Sequence, residues 1–243
     1  MERERRYIEE VQYTHGLEKS SYLYNLPVVQ YLVSGNKIVF NKDVTFFVGE
    51  NGSGKSTLIE AIAICFGFNA EGGSRNFNFA TRNTESELFK HIKIIKSAFP
   101  EDGYFLRAES FYNVASNIDD IDVSKSYGGH SLHEQSHGES FFTLFQKRFW
   151  GNGLYILDEP EAALSPLRQM SLLVKINELV KQNSQFIIAT HSPILLAYPN
   201  ATIFELKDSN ITEISFEETE IYRVYKHFLN ESKQILRHLL DES

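Results

Sequence analysis

Short apolar runs bounded by polar or turn residues recur along the chain: Val44–Val48 (VTFFV), Leu154–Leu157 (LYIL) and Gln185–Ala189 (QFIIA). Each is rich in β-branched or aromatic residues and too short for a helix, the pattern of strands buried on both faces of a parallel sheet. Between them the period turns helical. Ser56–Phe66 follows the first run, and Pro166–Lys181 places Leu167, Met170, Leu173 and Val174 on one side, with Pro166 at the first turn. Such alternation predicts an α/β fold with a mostly parallel central sheet. Further on, Thr202–Leu206 and Ile211–Phe216 flank Lys-Asp-Ser-Asn, a hairpin signal. Two amphipathic helices are expected after it, the first carrying Ile221, Val224, Tyr225 and Phe228 on one stripe. Asn69–Asn83, rich in Gly and Asn, reads as a long loop of the kind that is often functional.

Neither a repeat nor a Pro-rich linker divides the 243 residues, so one domain over 1–243 is expected, with hairpin and helices at 202–243. The single cysteine, Cys65, excludes an intrachain disulfide and suits a reducing cytoplasm; it reads as a small buried hydrophobe. No apolar run approaches the ~18 residues of a membrane span, and the charged Met1–Tyr7 leads into no signal-peptide core. The expectation is a cytoplasmic protein with no membrane partner. A net charge of -8 removes a bulk basic footprint for nucleic acid while leaving room for a local patch. Arg3, Arg5 and Arg6 are interleaved with Glu2, Glu4, Glu9 and Glu10, a solvated terminus rather than a phosphate-binding arm.

Gly49-Glu50-Asn51-Gly52-Ser53-Gly54-Lys55-Ser56-Thr57 satisfies G-x-x-x-x-G-K-[ST] between an apolar strand and a helix, the context this motif requires. Glycines let the backbone curl so that successive N–H groups point at phosphate oxygens, and the helix N-terminus adds its partial positive charge. Lys55 is the expected partner of the β- and γ-phosphates, and the Ser56 hydroxyl a ligand for Mg²⁺. Downstream, Leu154–Leu157 ends in Asp158-Glu159. An Asp at a strand tip beside a phosphate loop can hold Mg²⁺, and the adjacent Glu can polarise the attacking water as general base. Ile187-Ile-Ala-Thr-His191 ends another strand in a histidine able to contact the γ-phosphate and the water. Ligands bind at the C-terminal edge of open α/β sheets, so three strand tips delivering such groups form one expected site.

Together these residues resemble the ATP-binding-cassette (ABC) ATPase superfamily. The likeness lies in GENGSGKST (49–57), LYILDEPEAALSP (154–166), ATHSP (189–193) and Gln135-Ser136-His137-Gly138-Glu139, a degenerate form of the family signature LSGGQ. Their order and spacing cover 44–193, with a helical signature region over roughly 110–150. The resemblance implies a P-loop NTPase head with antiparallel and helical additions, which binds and hydrolyses ATP with Mg²⁺. ATP would be sandwiched in a head-to-tail homodimer, where Ser136 and Gly138 reach the γ-phosphate of the partner's nucleotide. It further makes Glu159 the hydrolytic base, His191 the switch histidine, and Ala163-Leu164-Ser165 the D-loop at the dimer contact.

Some positions depart from the family pattern. The D-loop ends in Ser165 instead of Asp, and His137 replaces the first signature glycine. No glutamine lies between Gln30 and Gln135, so the Q-loop ligand is missing; Tyr104–Ser110 occupies its place, with Arg107 and Glu109 as substitutes. That loss speaks against a transporter ATPase. Only residues 58–135 separate phosphate loop and signature, and they carry no sustained heptads, unlike chromosome-maintenance heads. A stand-alone head, similar to small soluble bacterial ATPases of the AAA and SMC/RecF-like kind, is expected to drive either a nucleic-acid transaction or a protein effector, as in phage-defence or toxin systems. His130, His133 and His137 read as part of a Gly/Ser/His-rich loop leading into the signature, since zinc sites usually add cysteine or an acid and a closed shell of supporting hydrogen bonds, and they are assigned to no metal. Tyr22, Tyr24 and Tyr31 are candidates for stacking on adenine, and Arg75, Asn76, Asn78 and Arg82 for contacts from the long loop.

Overall fold

The apolar runs become the middle of a seven-stranded sheet in the order β10-β9-β3-β8-β7-β6-β4. The computed structural model describes residues 6–74, 86–107 and 145–240. Strands β3 (Val44–Gly49), β6 (Asp102–Arg107), β7 (Gly153–Asp158), β8 (Gln185–Ala189) and β9 (Thr202–Lys207) run parallel. The short β4 (Gly73–Ser74) and β10 (Asn210–Ile214) close the edges antiparallel. A second, three-stranded antiparallel sheet pairs β1 (Glu10–Tyr13) with β2 (Lys37–Val39) and β5 (Ile92–Ile95).

Burial on both faces explains the unbroken hydrophobicity of the central strands. Phe47, Leu154, Ile156, Ile187 and Ala189 enter one core, together with α2 (Lys55–Phe66), α1 (Pro27–Val33) and the small sheet. Phe46, Val48, Tyr155, Leu157, Phe186 and Ile188 enter the other, under α3 (Pro166–Val180) and α4 (Pro193–Leu196). Successive residues of each strand therefore serve opposite layers, as the period of two demands.

Two buried polar clasps lock the sheet end farthest from the motifs. Gln185 Oε1 accepts the Tyr7 and Ile8 N–H groups, each at 2.9 Å, while its Nε2 donates to the Ile8 carbonyl at 2.9 Å. The Tyr155 hydroxyl donates to Asp102 Oδ2 at 2.7 Å and accepts the N–H groups of Trp150 and Gly151. Burial and the Asp102 carboxylate push its ionisation upward, so it stays a neutral donor.

The helix at 166–180 forms where expected but faces the other way. Leu172, Ile176 and Leu179 are buried, whereas Leu167, Met170 and Val174 are exposed and Leu173 only partly covered. Both stripes have helical spacing, and the chain's path from β7 through the buried Leu164 decides which one meets the sheet. The hairpin appears as β9 and β10, its turn using left-handed backbone at Asp208 and Ser209. The two expected helices follow as α5 (Glu220–Leu240), which consists of two helical pieces meeting at a kink at Glu231, whose backbone leaves the helical region. Its apolar side chains Val224, Tyr225, Phe228, Leu229, Leu236, Leu239 and Leu240 are exposed. Cys65 is partly rather than fully buried, its thiol directed at the Phe89 carbonyl.

Candidate nucleotide site

β3 ends at Gly49 and α2 begins at Lys55, so residues 49–54 must reverse direction within a few bonds. Gly54 stands at φ +95°, and a Cβ there would lie 2.6 Å from Val28 Cγ1; Gly49, at φ +148°, would meet the Leu206 carbonyl at 2.6 Å. Only glycine suits both positions, in backbone angle and in space. Gly52 is also left-handed, while Glu50, Asn51 and Gly52 are exposed at the crown of the loop. Lys55 is buried, and its Nζ donates to the carbonyls of Gly49 (2.8 Å) and Glu50 (3.0 Å), which holds the ammonium inside the loop. Burial lowers its pKa, opposed by the carboxylates of Glu159, Asp158 and Glu161.

Ser56 and Asp158 lie 102 residues apart in sequence, yet the Ser56 hydroxyl donates to Asp158 Oδ1 at 3.0 Å. That contact places the tip of β7 against the first turn of α2. Thr57, the last residue of the motif, is half-buried in the same turn. Glu159 follows in left-handed backbone at φ +50°, its N–H bonded to the Ala189 carbonyl at 3.0 Å. A non-glycine residue in that region is uncommon and marks a constrained position. The turn throws the Glu159 carboxylate outward, where its Oε1 comes within 3.8 Å of His191 Nε2. Burial and the nearby Lys55 ammonium both lower the His191 pKa, which favours the neutral imidazole.

Among the polar atoms of this edge, Ser53 Oγ and His191 Nε2 are buried without a hydrogen-bond partner among the described residues. Buried polar atoms are rarely left so, and a bound polyanion is the kind of group that would satisfy them. Mg²⁺ is ordinarily held by one or two protein oxygens plus substrate phosphates. No group of three or more His, Cys, Asp or Glu side chains among the described residues forms a metal cage. The hard oxygen donors Ser56 and Asp158, facing each other, suit Mg²⁺ well.

The structure thus brings together the loop 49–57, Asp158, Glu159 and His191 at one sheet edge. Ser136 and Gly138, Glu109, the His130/His133/His137 set and Arg75, Asn76, Asn78 and Arg82 lie outside the described residues. Ala163 and Leu164 pack on the core while Ser165 is exposed. Tyr22 is exposed as the first residue of a short 3₁₀ turn, Tyr22–Asn25. Further residues complete the site. Glu161 accepts the His191 backbone N–H and is held under the histidine, with burial raising its pKa. The Ser192 hydroxyl donates to Gln169 Oε1 at 2.6 Å and caps α4, which holds the segment after His191. Glu60, buried on α2, accepts from Arg107 at 2.5 Å and from the Ser86 N–H at 2.7 Å. A lone acid within Leu58-Ile-Glu-Ala-Ile-Ala63 was the available signal for Glu60; nothing in spacing marked Gln169.

A phosphate loop feeding a buried helix, with acids and a histidine on neighbouring parallel strand tips, defines a P-loop nucleotide-binding domain of the ATPase kind. The chain belongs to the AAA domain family, which matches residues 28–242. No curated protein matches the chain significantly. Among solved structures, the chain is similar to CbiO1 from Clostridium perfringens, part of an ABC transporter complex, at 18% identity and a TM-score of 0.51, covering 97% of this chain and 99% of that one. It is also similar to a nucleotide-free ATP-binding cassette from an ABC transporter, at 18% identity and a TM-score of 0.50, covering 94% and 97%. At these identities the likeness shows the fold, that of an ABC-type ATPase head. Among the described residues no helix is long and apolar enough to cross a membrane.

Proposed function

We propose that this chain is a Mg²⁺-dependent ATPase that closes on ATP as a head-to-tail homodimer and reopens on hydrolysis. The observation that carries the reading is the Ser56–Asp158 hydrogen bond at 3.0 Å, beside a buried Lys55 and within one sheet edge of Glu159 and His191. Lys55 and the loop N–H groups bind and neutralise the triphosphate of the substrate. Mg²⁺, held by Ser56 and Asp158, would offset charge on the phosphate oxygens. Glu159, projected by its left-handed backbone, takes the proton of the attacking water. His191, neutral at physiological pH and seated on Glu161, donates or accepts a hydrogen bond at the reacting centre through Nε2. Ser136 and Gly138 contribute from the opposite subunit, since the signature of one ABC head faces the phosphate loop of the other.

What the cycle drives is a protein effector in the reading favoured here. The net charge of -8 offers nucleic acid no bulk attraction, and α5 carries exposed apolar side chains of the sort that bind protein. The test uses Glu159→Gln in the full chain. It should bind ATP with Mg²⁺ and sediment as a dimer only when both are present, with turnover reduced by at least about a hundredfold. Near wild-type turnover would remove Glu159 as base, and tight ATP binding by Lys55→Ala would sink the whole site. Titration of the trapped dimer with double-stranded DNA at two salt concentrations separates the outputs: salt-sensitive, ATP-dependent binding would favour the nucleic-acid reading.

A further inference from the structure

The strand register sets a fixed cation beside the residue assigned to the metal. β6 and β7 are parallel neighbours, and Arg107 and Asp158, the last residue of each, are register partners. Asp158 is nearly buried; one carboxylate oxygen accepts from Ser56, and the other, Oδ2, lies 3.8 Å from Arg107 Nε. The far end of the guanidinium is tied down. Its Nη1 donates to Glu60 Oε2 at 2.5 Å, and Glu60 is itself held by the Ser86 N–H on Oε1. Glu60 sits on α2, one turn beyond Ser56, so one ion-pair chain runs from the helix of the phosphate loop through β6 to the tip of β7.

We propose that Arg107 is a positioning residue that shares Asp158 with the divalent cation, so that the grip of Glu60 on Arg107 sets how tightly the site takes the metal. The proposal rests on the nucleotide-site reading above. In the nucleotide-free protein the guanidinium partly neutralises Asp158 and keeps its carboxylate aimed at Ser56. An arriving cation takes the same carboxylate against the repulsion of a positive charge a few ångströms away. A neutral side chain at the tip of β6 would present no such opposition. Arg107 therefore weakens metal binding in the resting state while keeping the carboxylate aligned, and Glu60 limits the opposition by drawing the positive charge toward α2.

The test is binding of Mn²⁺ to the full chain at a fixed ADP concentration, read by electron paramagnetic resonance, with chelation by ADP common to every variant. Arg107→Gln should lower the Mn²⁺ midpoint by at least roughly tenfold: a bare pair of unit charges about 4 Å apart at an effective dielectric near 20 corresponds to about a thousandfold, and the Glu60 ion pair offsets much of that. Arg107→Lys, which keeps the charge, should stay within about threefold of wild type by the same reasoning. Because Arg107→Gln leaves Glu60 buried without its guanidinium and so destabilises the fold, the double variant Glu60→Gln/Arg107→Gln is run beside it and should shift the midpoint in the same direction. A midpoint unchanged or raised in a folded Arg107→Gln or double variant overturns the proposal while leaving the nucleotide site standing. Wild-type protein that binds neither ADP nor Mn²⁺ with ADP overturns both.

Discussion

Gln185 sits at the opening of β8, at the opposite end of that strand from His191, and its side chain satisfies three backbone groups of Tyr7 and Ile8. Replacing it by Met keeps volume and removes every one of those bonds. Each buried backbone group left unpaired costs about 1–3 kcal/mol, so a rigid structure would lose much of its stability. The terminal segment can instead peel away and rehydrate, which caps the cost at the burial it gives up. Ile8 is fully buried and Tyr7 nearly so, and Tyr7 also donates its hydroxyl to the Asn183 carbonyl at 2.9 Å. Losing such a segment costs about 2–4 kcal/mol, with a buried Ile side chain alone supplying roughly 1.5–3 kcal/mol. For a domain of this size that lowers Tm by roughly 4–16 °C. The assay pairs urea and thermal unfolding with amide exchange. Tyr7 and Ile8 amides should lose protection, while nucleotide affinity measured well below Tm stays at the wild-type value because the loop and strand tips are untouched. A loss below about 0.5 kcal/mol with both amides still protected would refute the clasp.

Four other substitutions probe separate parts of the structure. Tyr155→Phe deletes the hydroxyl shared by Asp102, Trp150 and Gly151 and should cost about 1–3 kcal/mol in urea unfolding; an unchanged midpoint would show that the network is solvated. Leu172→Ala should cost about 2–5 kcal/mol and the exposed Leu167→Ala under about 0.5, so comparable losses would reverse the face assigned to α3. Glu161 is the pH-sensitive case. Burial raises its pKa in the folded protein, so its contribution is whole below the ordinary carboxyl value of 4.5 and is lost as pH rises through the raised one. Glu161→Gln retains an acceptor for the His191 N–H and should remove that decline, so that the stability difference from wild type changes with pH across this window; parallel profiles would remove Glu161 as the source.

The local elements and half of the site were legible because their chemistry is local. A strand buried on both faces must be apolar throughout, so Val44–Val48, Leu154–Leu157 and Gln185–Ala189 announced the parallel sheet, and the loop 49–57 must carry glycine where Gly49 and Gly54 have no room for a Cβ. Asp158, Glu159 and His191 could be placed at strand tips for the same reason. Tertiary structure decided what depends on neighbours distant in sequence. Leu167, Met170 and Val174 had the spacing of a buried face, and only the path of the chain onto the sheet selected Leu172, Ile176 and Leu179 in their stead. The left-handed turn at Glu159 is held by Ala189, 30 residues on, and no residue type at position 159 signals it. Arg107 and Asp158 became neighbours through the register of β6 against β7, and Glu60 joined them because α2 crosses beneath. A periodicity reports which residues can share a face, but the identity of the opposing surface, and hence the electrostatics of a buried carboxylate, exists only once the sheet has assembled.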